Sequence, residues 1–376
     1  MNTRICARID LGAILANVHA MEGRLRPGTR MVAVIKADGY GHGALPIAQM
    51  LEKEAVVFGY AVAEPEEAAE LRAGGIRKPI MLLGYAFPDS YRLLIENDVW
   101  ACIFEEESAR LLSEAAEKLG KEANFHIALD TGMSRIGFAD VMPEGFASAK
   151  AIARIAKLPN LRLMGLFTHM ARADENDKTP AYAQIARYTH FLNYLQAEGV
   201  EIPYRHLSNS AGILRLPEAN FDLVRAGITL YGLWPSDEVE RDLPLRPAMS
   251  LVSHLAYVKE IAPGTSVGYG GTWTALRPTL IGTVPVGYAD GYPRGLSNKG
   301  EVLIGGKRVP IRGRICMDQF MVELTNVPEA KAGDEVVLLG RQGDECLTME
   351  ELGDISGRFN YEFACCISKR VPREYI

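Results

Sequence analysis

Lys36 closes an apolar run, Met31 to Lys36, and is followed at once by Ala37-Asp38-Gly39-Tyr40-Gly41-His42-Gly43. A lysine ending a hydrophobic strand is partly desolvated, which makes its amine nucleophilic and able to condense with a carbonyl cofactor as a Schiff base. Standing alone, such a lysine reads as readily as a cation snorkelling to solvent. It does not stand alone, because other apolar runs end on residues of complementary chemistry. Asp130-Thr131-Gly132-Met133-Ser134-Arg135-Ile136-Gly137 carries Arg135, a bidentate donor for a carboxylate or phenolate, in a loop loosened by glycine. Thr168-His169 ends a further run, and Ser208-Asn209-Ser210 and Arg225-Ala226-Gly227-Ile228 end two more. Hydroxyls and backbone amides at helix N-termini bind anions, so Ser210, Gly227 and Ile228 suit a phosphate.

These residues need a scaffold that gathers strand ends on one side. From residue 11 to about 235, apolar runs alternate with amphipathic helical stretches such as 64–72, 105–119 and 181–198. Eight runs are present, at 31–36, 56–62, 80–85, 99–104, 124–130, 163–169, 204–208 and 222–228. Eight strands with intervening helices match an α/β fold of the (β/α)8 TIM-barrel type, whose active site lies at the C-terminal strand ends. A doubly wound open sheet is the other arrangement that the periodicity permits. Asp10 is placed to cap the first helix. After Trp234-Pro235-Ser236 the texture changes to short Val- and Ile-rich segments, 280–286, 302–304 and 335–339, separated by turns at Pro263-Gly264, Gly305-Gly306 and Ala332-Gly333-Asp334. The expectation is a barrel over 11–236 and a C-terminal, mainly-β domain over 237–376, with the alternating Ile5, Ala7 and Ile9 as a strand of the second.

Composition narrows the function classes. A net charge of -6 gives no electrostatic reason to expect nucleic acid or an anionic membrane as partner. No run approaches the roughly 18 apolar residues that span a bilayer, and the first residues lack a signal-peptide core, so a cytoplasmic location is expected. The six cysteines, at 6, 102, 316, 346, 365 and 366, show no zinc or disulfide spacing, and no metal is expected. Phosphate-loop and serine-hydrolase signatures are missing from the sequence.

The string Val34-Ile35-Lys36-Ala37-Asp38-Gly39-Tyr40-Gly41-His42-Gly43 resembles the cofactor-lysine motif of alanine racemases, and the resemblance runs along nearly the whole chain. It continues through 130–137, 206–211, 224–231, 267–270, 286–291, Arg314-Ile315-Cys316-Met317-Asp318-Gln319 and Asn360-Tyr361-Glu362. The resemblance implies a pyridoxal 5'-phosphate (PLP) isomerase that supplies D-alanine for the cell wall, working as a homodimer with sites shared between subunits. Position by position, Lys36 would carry the cofactor and act as the base on one face of the substrate α-carbon, and Tyr269 of the partner subunit would be the base on the other. Inversion needs both, since a proton leaves one face and another returns to the opposite one. Arg225 would donate to the pyridine nitrogen with His169 behind it, and Arg135 would face the phenolate and the substrate carboxylate. Tyr40, Ser210, Gly227, Ile228 and Tyr361 would surround the cofactor phosphate, with Asn209 also binding the cofactor, while Met317, Tyr288 and Asp318 of the partner subunit would meet or admit the substrate.

One position departs from the family pattern: Ala128 stands where many members carry a carbamylated lysine that orients the arginine. Serine racemases share the fold but tend to replace the tyrosine found here as Tyr361, so the resemblance favours alanine, with some turnover of serine. Basic amino-acid decarboxylases of the same architecture would not need Tyr269 as a second base. A single-barrel PLP carrier would not need the roughly 140 residues beyond the barrel.

Overall fold

The structure, a computed structural model, describes residues 4–139 and 146–376. Its first nine strands are β1 (Ile5–Ile9), β2 (Arg30–Val34), β3 (Val57–Val62), β4 (Ile80–Leu82), β5 (Val99–Ile103), β6 (Ala123–Ala128), β7 (Leu161–Phe167), β8 (Tyr204–His206) and β9 (Leu223–Ala226). Strands β2 to β9 close into a parallel barrel in chain order, with β9 returning to pair with β2. Buried on both faces, these strands read as near-continuous apolar runs rather than alternating ones. Burial is complete along β3 and β5, for example. Each of the eight expected runs supplies one strand, and in all but the second, where run and strand both end at Val62, the last residues of the run already belong to the loop.

Helices complete the βα units, including Leu11–Glu22, Pro65–Ala73, Glu106–Leu119 and Thr179–Ala197. Asp10 Oδ1 accepts the Ala13 N–H at 2.8 Å, which caps the first of them. The compact unit built around the barrel comprises Ile14–Gly39 and Ala44–Arg246.

The second unit gathers the chain from Pro247 onward with the first strand and with Tyr40–Gly43. Its ten-stranded sheet runs Tyr257–Ile261, Thr279–Val284, Phe320–Glu323, Lys307–Arg312, Glu301–Ile304, Glu335–Gln342, Met249–His254, β1 and Arg373–Tyr375, with Glu345–Leu347 branching from Glu335–Gln342. Strand β1 lies antiparallel to Met249–His254 and parallel to Arg373–Tyr375. Gly305 and Gly306, at φ 57° and 75°, form the two-residue turn between Glu301–Ile304 and Lys307–Arg312, a conformation open to glycine without a Cβ penalty. This unit is not wholly β. Helices Met349–Ser356 and Asn360–Cys366 follow the sheet, the first opened by Thr348, whose hydroxyl accepts the Glu351 N–H at 3.1 Å. Thr348-x-x-Glu351 is a helix-start signature outweighed in the sequence by the surrounding strand texture.

Candidate active site

Within the barrel unit the expected residues collect where the strands end. Lys36 follows β2 by two residues and is half-buried. The chain then turns left-handed: Ala37, Asp38 and Gly39 have φ 52°, 51° and 61°. For L-residues this region is disfavoured by roughly 1–2 kcal/mol each, so a run of them persists only under outside constraint.

Arg225, on β9, is buried, and among the described residues it has no carboxylate partner. Its Nη1 donates to His206 Nδ1 at 2.9 Å and to the His206 carbonyl at 3.2 Å. Its Nη2 donates to the carbonyls of Thr168 at 2.7 Å and Leu207 at 3.1 Å, and to His169 Nδ1 at 3.4 Å. Among the described residues no acceptor stands opposite Nε. Burial, partly countered by Tyr188, brings the guanidinium down to about 10, so it stays charged at neutral pH. An arginine donating to imidazole nitrogens requires both rings to be neutral, and they are. Burial first, and then the Arg225 charge, hold His169 and His206 well below the usual histidine value, with Arg135 and Lys36 adding to the effect on His169.

His206 escaped the sequence reading as a site residue, although a polar residue inside a barrel strand was the available signal. So did His126 on β6, whose Nε2 donates to the Leu82 carbonyl at 2.7 Å and whose ring stacks on those of Phe167 and His206.

The loop bearing Arg135 is held by the side chain of Asp130 at its start. Asp130 Oδ1 accepts the N–H groups of Gly132, Met133 and Ser134, each at 3.0 Å. Thr131 bonds to Thr168 and to Gln184. Gly137 closes the loop at φ 133°, where a Cβ would come within 2.4 Å of the Asp130 nitrogen. Ala128 packs with Cys102 and Phe167, and Ile136, next to Arg135, packs against that cluster. Arg135 itself is exposed.

Ser210 Oγ accepts the N–H of Gly227 at 3.0 Å and that of Thr229 at 3.4 Å, joining the exits of β8 and β9. Ser210 and Ile228 are the first residues of their helical turns, where backbone N–H groups have no helical carbonyl to meet. Asn209 caps the Ser210–Arg215 helix by accepting the Gly212 N–H at 3.0 Å, and its amide reaches the Met170 carbonyl at 3.3 Å.

Within the second unit the structure brings Tyr288, Met317 and Asp318 together. The Tyr288 and Ala289 N–H groups donate to the carbonyls of Cys316 and Met317 at 3.1 and 3.0 Å. Asp318 accepts Arg370 at 2.7 Å, and Arg370 also contacts Asp290 at 3.1 Å. Tyr40 and Tyr361 face one another with ring centroids 6.1 Å apart. Tyr269 stands between Gly268 and Gly270, both at positive φ, and is 72% exposed.

The fold and the clustering of strand-end residues define the class: a (β/α)8-barrel enzyme with a C-terminal, mostly-β unit. Residues 9–235 match the family described as alanine racemase, N-terminal domain, and residues 248–375 match alanine racemase, C-terminal domain. An alanine racemase of Desulfovibrio desulfuricans is 45% identical over 99% of this chain and 98% of its own, and one from Halothermothrix orenii is 42% identical over 100% and 98%. The solved alanine racemase of Clostridium difficile superposes with a TM-score of 0.94 at 40% identity, covering 100% of this chain and 96% of that one. The chain belongs to the alanine racemase family, whose members depend on PLP and take a small amino acid as substrate.

Among the described residues no helix is long and apolar enough to cross a membrane, and no group of three His, Cys, Asp or Glu side chains is placed to hold a metal ion.

Proposed function

We propose that this protein interconverts L- and D-alanine with PLP held at the barrel's strand ends, and that it does so as a homodimer. The observation that carries the reading is Arg225, a buried guanidinium held by neutral acceptors with its Nε left to donate, on the same barrel rim as Lys36. The donor set suits PLP. Lys36 offers the amine for the aldehyde, Arg225 Nε a donor for the ring nitrogen, and the Ser210, Gly227 and Ile228 region a turn of amides and hydroxyl for the phosphate. Bound PLP supplies an electron-accepting ring that makes the substrate's α-hydrogen acidic.

The rest falls to the protein. Lys36 Nζ takes or returns the proton on one face of the α-carbon, and the Tyr269 hydroxyl of the partner subunit does so on the other. Arg225, unlike an acid, would donate a hydrogen bond to the ring nitrogen of bound PLP without giving up its proton, which would disfavour side reactions that need a protonated ring. Arg135 orients the substrate carboxylate by a forked hydrogen bond. Met317, Tyr288 and Asp318, gathered on one loop pair, would serve the substrate route, and D-alanine for peptidoglycan is the product's use. The relatives do not favour a serine racemase. Serine turnover at a reduced kcat/KM is expected, since an apolar wall rejects one added hydroxyl by only about a hundredfold.

The test is deuterium exchange at the α-carbon of L-alanine in heavy water with chirality followed, for the parent, Lys36→Ala and Tyr269→Phe. Exchange with inversion in the parent, lost in both variants, supports two bases. Exchange with retention alone sinks the reading.

A further inference from the structure

The left-handed turn after Lys36 is held from outside by two carboxylates. Asp38 Oδ1 accepts the Ala44 N–H at 2.9 Å. Glu67, in the first turn of the Pro65–Ala73 helix, divides its two oxygens between two strand exits. Oε2 accepts the N–H groups of Ala63 at 2.8 Å and Glu64 at 3.1 Å, just after β3. Oε1 accepts the N–H of Ala37 at 2.5 Å. That N–H belongs to the peptide joining Lys36 to Ala37. Strands β2 and β3 are paired neighbours, in register at Val34 and Ala61, so one carboxylate ties both exits at the point where the lysine leaves the barrel wall. Capping the helix would need only the Oε2 contacts.

We propose that Glu67 is the positioning residue of Lys36. This deepens the reading of Lys36 as cofactor carrier and base, and rests on it. Gripping the Lys36–Ala37 peptide fixes the plane from which the lysine side chain departs, and with it the place of Nζ against one face of the α-carbon. Release of the peptide lets Ala37 relax toward ordinary φ, and a base displaced by about 1 Å can lose on the order of a hundredfold in rate.

The experiment compares the holoenzyme with Glu67→Ala, Glu67→Gln, Ala37→Gly and the Glu67→Ala/Ala37→Gly pair. Glu67→Ala should lower kcat about tenfold to a hundredfold with a smaller change in KM. Hydrogen exchange in the segment 35–40 should speed up more than in the 65–73 helix. The α-deuterium isotope effect should rise for one enantiomer only, because Lys36 serves one face. Glu67→Gln, which keeps one acceptor for Ala37, should recover part of the rate. Ala37→Gly should suppress part of the Glu67→Ala defect, because glycine takes this φ without strain. A Glu67→Ala enzyme that melts earlier but keeps kcat, or shows isotope effects rising equally for both enantiomers, makes Glu67 a helix cap and overturns the proposal. Turnover persisting in Lys36→Ala would instead remove the reading of Lys36 itself.

Discussion

Arg225 in the barrel and Asp290 in the second unit are both buried charges, and the protein compensates them in opposite ways. Arg225 is given carbonyls and neutral imidazoles and, among the described residues, no acid. Asp290, with its side chain fully buried, is given two arginines, Arg4 at 2.5 Å and Arg370 at 3.1 Å, together with the Gly287 N–H at 2.9 Å. A cation left uncancelled in a low-dielectric site projects its field onto whatever enters, which is useful for chemistry and unhelpful for stability. An anion cancelled on several sides projects little and works as a tie. Here it joins Arg4, next to β1, the Gly287–Gly291 turn and, through Arg370, the loop of Asp318.

The largest effect should come from removing the uncancelled charge. Arg225→Met should lower kcat for alanine by about a hundredfold or more, the range for loss of one preorganised donor. Stability should change far less, because relief of a buried charge offsets the lost bonds to Thr168, His206 and Leu207. Steady-state rates and thermal melts on the same preparation check this, and a collapse of folding with the rate per folded molecule intact would break the comparison.

Next in size is the acid response of the barrel's neutral rings. Burial brings His126 down to about 4 from an ordinary 6.5, so it is unprotonated in the fold while the unfolded chain takes up a proton. Stability should therefore be level above pH 6.5 and fall as pH drops from 6.5 toward 4, by on the order of 3 kcal/mol from this residue. His126→Phe should flatten that slope in denaturant melts, and an unchanged slope would count against the ring being neutral.

The barrel was readable because its strands are buried on both faces and separated by helices, so each of the eight apolar runs could be located and its terminal residue named. Lys36, His169 and Ser210 stood out because each ends or follows such a run, and Arg225, inside the last run, through the family resemblance. His206 and His126 did not, since a histidine inside a strand carries no periodic signal and its meaning depends on what lies across the barrel. Glu67 was equally hidden: its sequence context is a helix start, and only the fold shows its second oxygen on Ala37. The Ala128 position was visible as a departure, but its packing with Cys102, Phe167 and Ile136 needed three dimensions. Helices Met349–Ser356 and Asn360–Cys366 were missed because they are short, and tertiary packing sustains helices of that length.

The smallest effect belongs to the cancelled charge, and it should be structural rather than kinetic. Burial alone would raise the Asp290 carboxyl, but the bonds from Arg4 and Gly287 and the charges of Arg4 and Arg370 outweigh it and hold the group below its ordinary 3.8. Its stabilisation is therefore present at neutral pH and lost only as pH falls through that lowered value. Asp290→Asn keeps the shape but not the charge. Because Arg4 and Arg370 are 37% and 44% exposed, solvent recovers part of what they lose, and a destabilisation of about 2 kcal/mol is expected rather than the larger figure for a sealed pair. Arg370→Gln, which severs only the branch to Asp318, should lose less than 1 kcal/mol. In both variants kcat per folded enzyme should stay within a few fold of the parent. If Asp290→Asn instead lowered kcat as Arg225→Met does, without moving the melt, the second unit's buried acid would be acting on the chemistry, and the division between a charge kept for reaction and a charge used as a tie would fail.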